Sequence, residues 1–155
     1  MFTNQDIIKT AMRQSALDLN CREADFLKEE NVVVCSKIGA QARAYYQEPI
    51  ACNLVSYGNN IVASVKDAYR ETVKEYIDKF EFYHCFETPN MHWLESKMNT
   101  HGQQICFMAE YFLPDMGRLK RLSCDYEIRV LTQNDFSDLY LAQWSNALCE
   151  KRKAL

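Results

Sequence analysis

The stretch Ala51-Cys-Asn-Leu-Val-Ser-Tyr-Gly-Asn-Asn-Ile-Val-Ala-Ser-Val65, continued by Lys66-Asp-Ala-Tyr-Arg-Glu-Thr-Val-Lys-Glu-Tyr-Ile-Asp-Lys-Phe80, decides the fold class. Its first half holds two short runs, Ala51–Tyr57 and Asn60–Val65, expected as strands of a hairpin. Gly58-Asn59 between them suits a tight turn, because glycine takes positive φ at no steric cost. In the second half Tyr69, Val73, Tyr76, Ile77 and Phe80 recur at helical spacing on one face. Glu75 precedes Lys79 by one helical turn on the other. Strand, strand, helix without a break is the grammar of an α+β domain.

Upstream, Thr3 is expected to cap a helix reaching about Asn20, with Asp6 at the capping-box position and Ile7, Ile8, Ala11, Met12, Ser15 and Leu19 facing inward. Val32-Val-Val34 reads as a buried strand. Downstream, Thr88-Pro89 is expected to start a helix, with threonine as cap, and Gly102 to end it. Gln104–Leu113 is the strongest strand pattern. Ile105, Phe107, Ala109, Tyr111 and Leu113 fill one face, and Cys106, Met108 and Phe112 most of the other, as in a strand covered on both sides. After the breaker Pro114-Asp-Met-Gly117, Cys124–Leu131 reads as another strand. Asn134 or Asp135 then caps a last helix with Phe136, Leu139, Tyr140, Gln143, Trp144, Ala147 and Leu148 on one stripe. The expected architecture is α+β, a mixed and largely antiparallel sheet of about five strands with helices packed on it. The expected division is 1–115 and 123–155.

Composition excludes several functions. The chain has 155 residues, 48% of them hydrophobic and 25% charged, and a formal net charge of −3. That is an ordinary globular mixture, without the basicity that nucleic acid or an anionic membrane attracts. The four glycines stand at 39, 58, 102 and 117. They are too far apart for either a dinucleotide-binding or a P-loop phosphate cradle. The longest uncharged stretch, Pro49–Val65, carries three asparagines and two serines, so no membrane span is expected.

Seven cysteines, at 21, 35, 52, 85, 106, 124 and 149, include no C-x-x-C pair. With no basic and apolar leader at the N-terminus, a reducing cytoplasm with free thiols is expected. Cys35, Cys52, Cys106 and Cys124 fall in strand-like apolar runs and are expected to be buried and slow to react. His84, Cys85 and His92, with Cys106 or Glu87 as further ligand types, match no zinc spacing, so no metal site is expected. Glu110 shares its strand face with Cys106, Met108 and Phe112. A carboxylate there is paired, at a sheet edge, or lining a cleft.

Tyr126-Glu-Ile-Arg-Val-Leu-Thr-Gln-Asn-Asp-Phe-Ser-Asp-Leu-Tyr140 resembles the opening of a GNAT acyltransferase domain, a strand reading I-R-x-L-T followed by an acid at the first helix. Asn31–Val34, Leu54–Gly58, Asn60–Val65, His84–Asn90, Cys106–Asp115 and Trp144–Leu148 are similar to blocks of a bacterial GNAT-type family in which an N-terminal region precedes the catalytic domain. The resemblance spans nearly the whole chain. It implies acetyl transfer from acetyl-CoA to a small-molecule or peptide amine, with a general base and acid that are often Glu and Tyr. Glu110 and Tyr111 are the candidates of those types, although neighbours on a strand face opposite ways. His84, Glu87 and His92 are candidates for the substrate cleft.

The family holds the acetyl-CoA pyrophosphate on a [QR]-x-x-G-x-[GA] loop, whose amides at a helix N-terminus meet the phosphate charge. Three residues before the glycines stand Ser36, Val55, Asn99 and Pro114. Two residues after them stand Gln41, Asn60, Gln104 and Leu119, so none fits. No cofactor-binding residues are therefore expected in this chain, which reads as the N-terminal region plus the first strand and helix of such an enzyme. The alternative is a non-catalytic binding or dimerisation module with a related fold. In either case the apolar stripe of the last helix is expected to bury itself, with a homodimer as the leading arrangement.

Overall fold

The computed structural model describes residues 2–43, 46–120, 122–132, 135 and 139–145. The chain divides into two compact units between Gly117 and Arg118.

In the first unit, helix α1 runs Asn4–Leu19. Thr3 accepts from the Asp6 amide, and the Asp6 carboxylate accepts from the Thr3 amide at 2.8 Å, so the capping box closes as expected. Asn20, in the left-handed region at φ 59°, ends the helix. A 3₁₀ turn, Glu23–Leu27, leads into strand β1, Val32–Cys35. Strands β2, Cys52–Val55, and β3, Val62–Val65, follow. The sheet order is β1-β3-β2, with β1 parallel and β2 antiparallel to β3. The connection from β2 to β3 is longer than the two-residue turn expected. Gly58, at φ 97°, bends it, and the Ser56 hydroxyl donates to the Asn60 carbonyl at 2.7 Å.

A 3₁₀ turn, Asp67–Tyr69, precedes α2, Arg70–Lys79. Helix α3 runs Thr88–Asn99, with Pro89 in its first turn. Its N-cap is Glu87, one residue before the expected threonine, without a side-chain cap bond. Gly102, at φ 70°, lies just past its end, where the Gln103 amide returns to the Met98 carbonyl.

Strand period decides the layering. Ile61, Ala63 and Val65 face α2 and α3, where they pack with Val73, Tyr76, Ile77, Cys85, Leu94 and Met98. Val62 faces the other way and packs with Met12, Ala16, Leu19 and Phe26, beside Val32 and Val55. All four residues of β3 are buried, which makes it the centre of the sheet. Each fully buried aliphatic side chain there contributes roughly 1.5–3 kcal/mol. Asparagines tie the layers together. Asn31 accepts from the Ile61 amide and donates to the Ile77 carbonyl, and Asn60 donates to the carbonyls of Asp25 and Glu30.

Three strands, not about five, are present among the described residues. Gln104–Leu113 forms no strand, and Phe107 and Phe112 are 72% and 85% exposed. Its pattern asks for cover on both faces, and among the described residues no strand is hydrogen-bonded to it. Cys106 and Cys124 are consequently exposed rather than buried, whereas Cys35 and Cys52 are half-buried.

In the second unit, 124–131 likewise forms no strand. Thr132 and Asp135 close a local turn, in which the Asp135 carboxylate accepts from the Thr132 amide and hydroxyl. Within the expected last helix, Ala142–Trp144 form a 3₁₀ turn. Asn134, Phe136, Ala147, Leu148 and Cys149 lie outside the described residues.

Candidate functional site

The C-terminal turn of α1 and the 3₁₀ turn after it carry the two buried carboxylates among the described residues, Asp18 and Asp25. Asp18 lies on the inward face of α1, three residues after Ser15, and its side chain has no exposure. It accepts from Gln14 Nε2 at 3.0 Å, from the Arg43 amide at 2.9 Å and from Arg43 Nε at 2.5 Å. A buried carboxylate is stable only with such partners. The arrangement fixes the loop after β1 against the helix.

Beside it lies an open cleft of about 610 Å³ between that turn of α1, β1 and the 39–41 turn. Cys21, Arg22, Asp25 and Lys28 carry its chemistry. Asp25 is 3% exposed. Burial works to raise its pKa, but Lys28 at 2.7 Å, the Arg22 amide at 2.9 Å and the Arg22 guanidinium at 3.2 Å outweigh it and bring the carboxyl down to about 2. Burial, and then the charge of Asp25, push the Cys21 thiol up to about 11. The cleft therefore offers an ionised acid already held by two cations, and a thiol that stays protonated at neutral pH. Those groups can bind a polar ligand; they do not supply an activated nucleophile.

The residues expected to carry chemistry lie elsewhere and are not assembled into one site. Glu110 and Tyr111 are both exposed in the unpaired 104–113 segment. His84 and Glu87 do meet, Nδ1 to Oε1 at 2.8 Å, on the exposed loop between α2 and α3. His92 pairs instead with Glu95 on α3, at 3.5 Å. Cys85 turns away from His84 into the core, and burial raises its thiol to about 11. Among the described residues no three His, Cys, Asp or Glu side chains are grouped so as to hold a metal ion. No helix among them is long and apolar enough to cross a membrane.

Sequence reasoning passed over Asp18, Asp25 and Arg43. Asp18 was findable, because a carboxylate three residues after Ser15 and beside Leu19 falls on the inward stripe of α1 and needs a partner. Nothing local to Arg43 marks it as that partner.

Set against known proteins, the chain matches no family model, no curated protein and no solved structure.

Proposed function

We propose that this chain is the N-terminal portion of a GNAT-like N-acetyltransferase. Its α+β unit shapes the amine-acceptor side or an interface, and acetyl-CoA is held by residues outside it. The resemblance of Tyr126–Tyr140 and of the blocks from Asn31 onward supports this reading. The observation that carries it is the exposure pattern of Tyr126, Ile128 and Val130, which are 84%, 80% and 96% exposed. They alternate with Glu127 and Arg129, the period of a half-buried strand, yet they face water. A first strand whose neighbours come from another part of a domain has this character. On this reading the protein works in the cytoplasm on a small-molecule or peptide amine.

Titration calorimetry with acetyl-CoA on this chain tests the assignment of the cofactor site. No saturable binding is expected, and low-micromolar binding would place a cofactor site within these 155 residues, against the proposal. Reading the frame beyond Leu155 tests the rest: a following [QR]-x-x-G-x-[GA] segment supports the enzyme, and a stop codon supports the binding or dimerisation module. Leu139, Leu141 and Trp144 are apolar and exposed, which is the feature that favours the module. Light scattering on a Trp144→Glu, Leu148→Glu double variant reads that possibility out.

A further inference from the structure

The two free edges of the sheet are finished differently. Val32 and Ser36 donate their amides to β3, so Val33 and Cys35 turn their backbone groups outward. Side chains cover both carbonyls: Arg70 Nη2 donates to that of Val33 at 3.1 Å, and Asn20 Nδ2 to that of Cys35 at 3.2 Å. On β2 the Ala51 carbonyl accepts from the Lys66 amide, so Ala51, Asn53 and Val55 face β3, and Cys52 and Leu54 face out. Among the described residues no hydrogen bond reaches those outward groups. A bare edge is a template for another strand, and a capped edge is not.

The 104–113 segment is tethered at both ends so as to run along the sheet. The Ile105 amide bonds to Glu95 Oε1 at 3.3 Å, and the His101 ring meets Tyr69 edge-on at 5.6 Å, at the end of the sheet where β3 finishes. At its other end Asn4 donates to the Asp115 carboxylate at 2.9 Å and accepts from the Met116 amide at 2.7 Å. Asn4 begins α1, which rises towards Cys35: Ser15 bonds the Tyr57 hydroxyl just past the end of β2, and Asn20 reaches Cys35 at the end of β1. The segment therefore travels from the end where β3 finishes to the end where β2 finishes, in the direction of β2. Ten extended residues span roughly 33 Å, ample for the roughly 13 Å of β2.

We propose that Gln104–Leu113 closes onto the outer edge of β2 as a parallel fourth strand, giving the order β1-β3-β2-β4. Its two apolar faces suit that place, because Cys52 and Leu54 pack on the α2/α3 side of β2 and Val55 on the α1 side. Closure would extend both cores, cover Phe107 and Phe112, and set Glu110 and Tyr111 on opposite faces of the sheet. The inference concerns the first unit and does not depend on the acetyltransferase reading.

Amide hydrogen exchange by NMR on the whole chain, at two protein concentrations, tests it. The expected result is that the Cys52 and Leu54 amides and alternate amides of 105–112 exchange about a hundredfold slower than open chain, equally at both concentrations. In Phe107→Pro or Met108→Pro, whichever removes a ladder donor, that protection is lost while the amides of β3 stay protected. Open-chain exchange along 104–113 would overturn the proposal. Protection that appears only at the higher concentration would also overturn it, by assigning the edge to a second copy. Unchanged protection of Cys52 and Leu54 in both proline variants would do the same.

Discussion

The Tyr76 hydroxyl donates to the backbone carbonyl of Cys85 at 2.5 Å, inside the core between α2 and α3. The bond ties α2 to the loop that leads into α3, and the Tyr76 ring also stacks on Trp93 at 5.9 Å. Tyr76→Phe keeps the ring and leaves the carbonyl without its donor. A loss of about 1–2 kcal/mol is expected, the cost of stranding a buried acceptor. Urea unfolding should show a lower midpoint with an unchanged slope.

Asp18→Asn removes the charge that the Arg43 amide and guanidinium converge on. About 1–3 kcal/mol should be lost, since charge-assisted hydrogen bonds to a buried carboxylate are among the stronger ones. The local signature is faster amide exchange at Arg43 and through the loop between β1 and β2. Wild-type exchange there, in a variant whose midpoint falls, would mean that Asp18 stabilises α1 alone.

Acid should weaken the fold through Asp25. Its folded pKa, about 2, lies below the ordinary carboxylate value of 3.8, so its contribution is complete above about pH 4 and fades as pH falls towards 2. The contribution is about 1–2 kcal/mol, reduced by the solvent exposure of Arg22 and Lys28. Unfolding midpoints from pH 5 to pH 2 check this against Asp25→Asn, whose stability should fall less across that window.

Thiol labelling separates the cysteines by exposure. Cys106 and Cys124 are exposed and should react first with a thiol reagent at neutral pH. Burial pushes Cys52 up to about 12 and Cys85 up to about 11, so both should label slowly until denaturant is added. Peptide mapping of partly labelled protein gives the order directly.

How far the sequence could be read depended on whether a segment's partners lie within its own period. Val73, Tyr76 and Ile77 repeat every three or four residues, and α2 buries that face. Thr3 and Asp6 form their capping box within one turn of chain. The 104–113 run is different. Its alternation says which sides must be covered, and says nothing about whether a neighbouring strand is in place to cover them. That is why the pattern implies about five strands while the described residues form three. The candidate site was less legible still. Asp18 and Arg43 are 25 residues apart and meet only because β1 and the following loop fold back beside α1. Glu110 and Tyr111 were singled out by chemical type, and type alone does not bring side chains together.

The central place of β3 also sets an order of assembly. Its antiparallel partnership begins with Val55 and Val62, seven positions apart along the chain, whereas its parallel partnership begins with Val32 and Val62, thirty apart. Closing the longer loop costs about 1.3 kcal/mol more chain entropy. The hairpin should therefore form first, and β1, carrying α1 with it, should arrive later. Until it does, the side of β3 that later binds β1 is an unoccupied ladder. Refolding yield should consequently fall as protein concentration rises, with losses set by how long β3 waits for its distant neighbour.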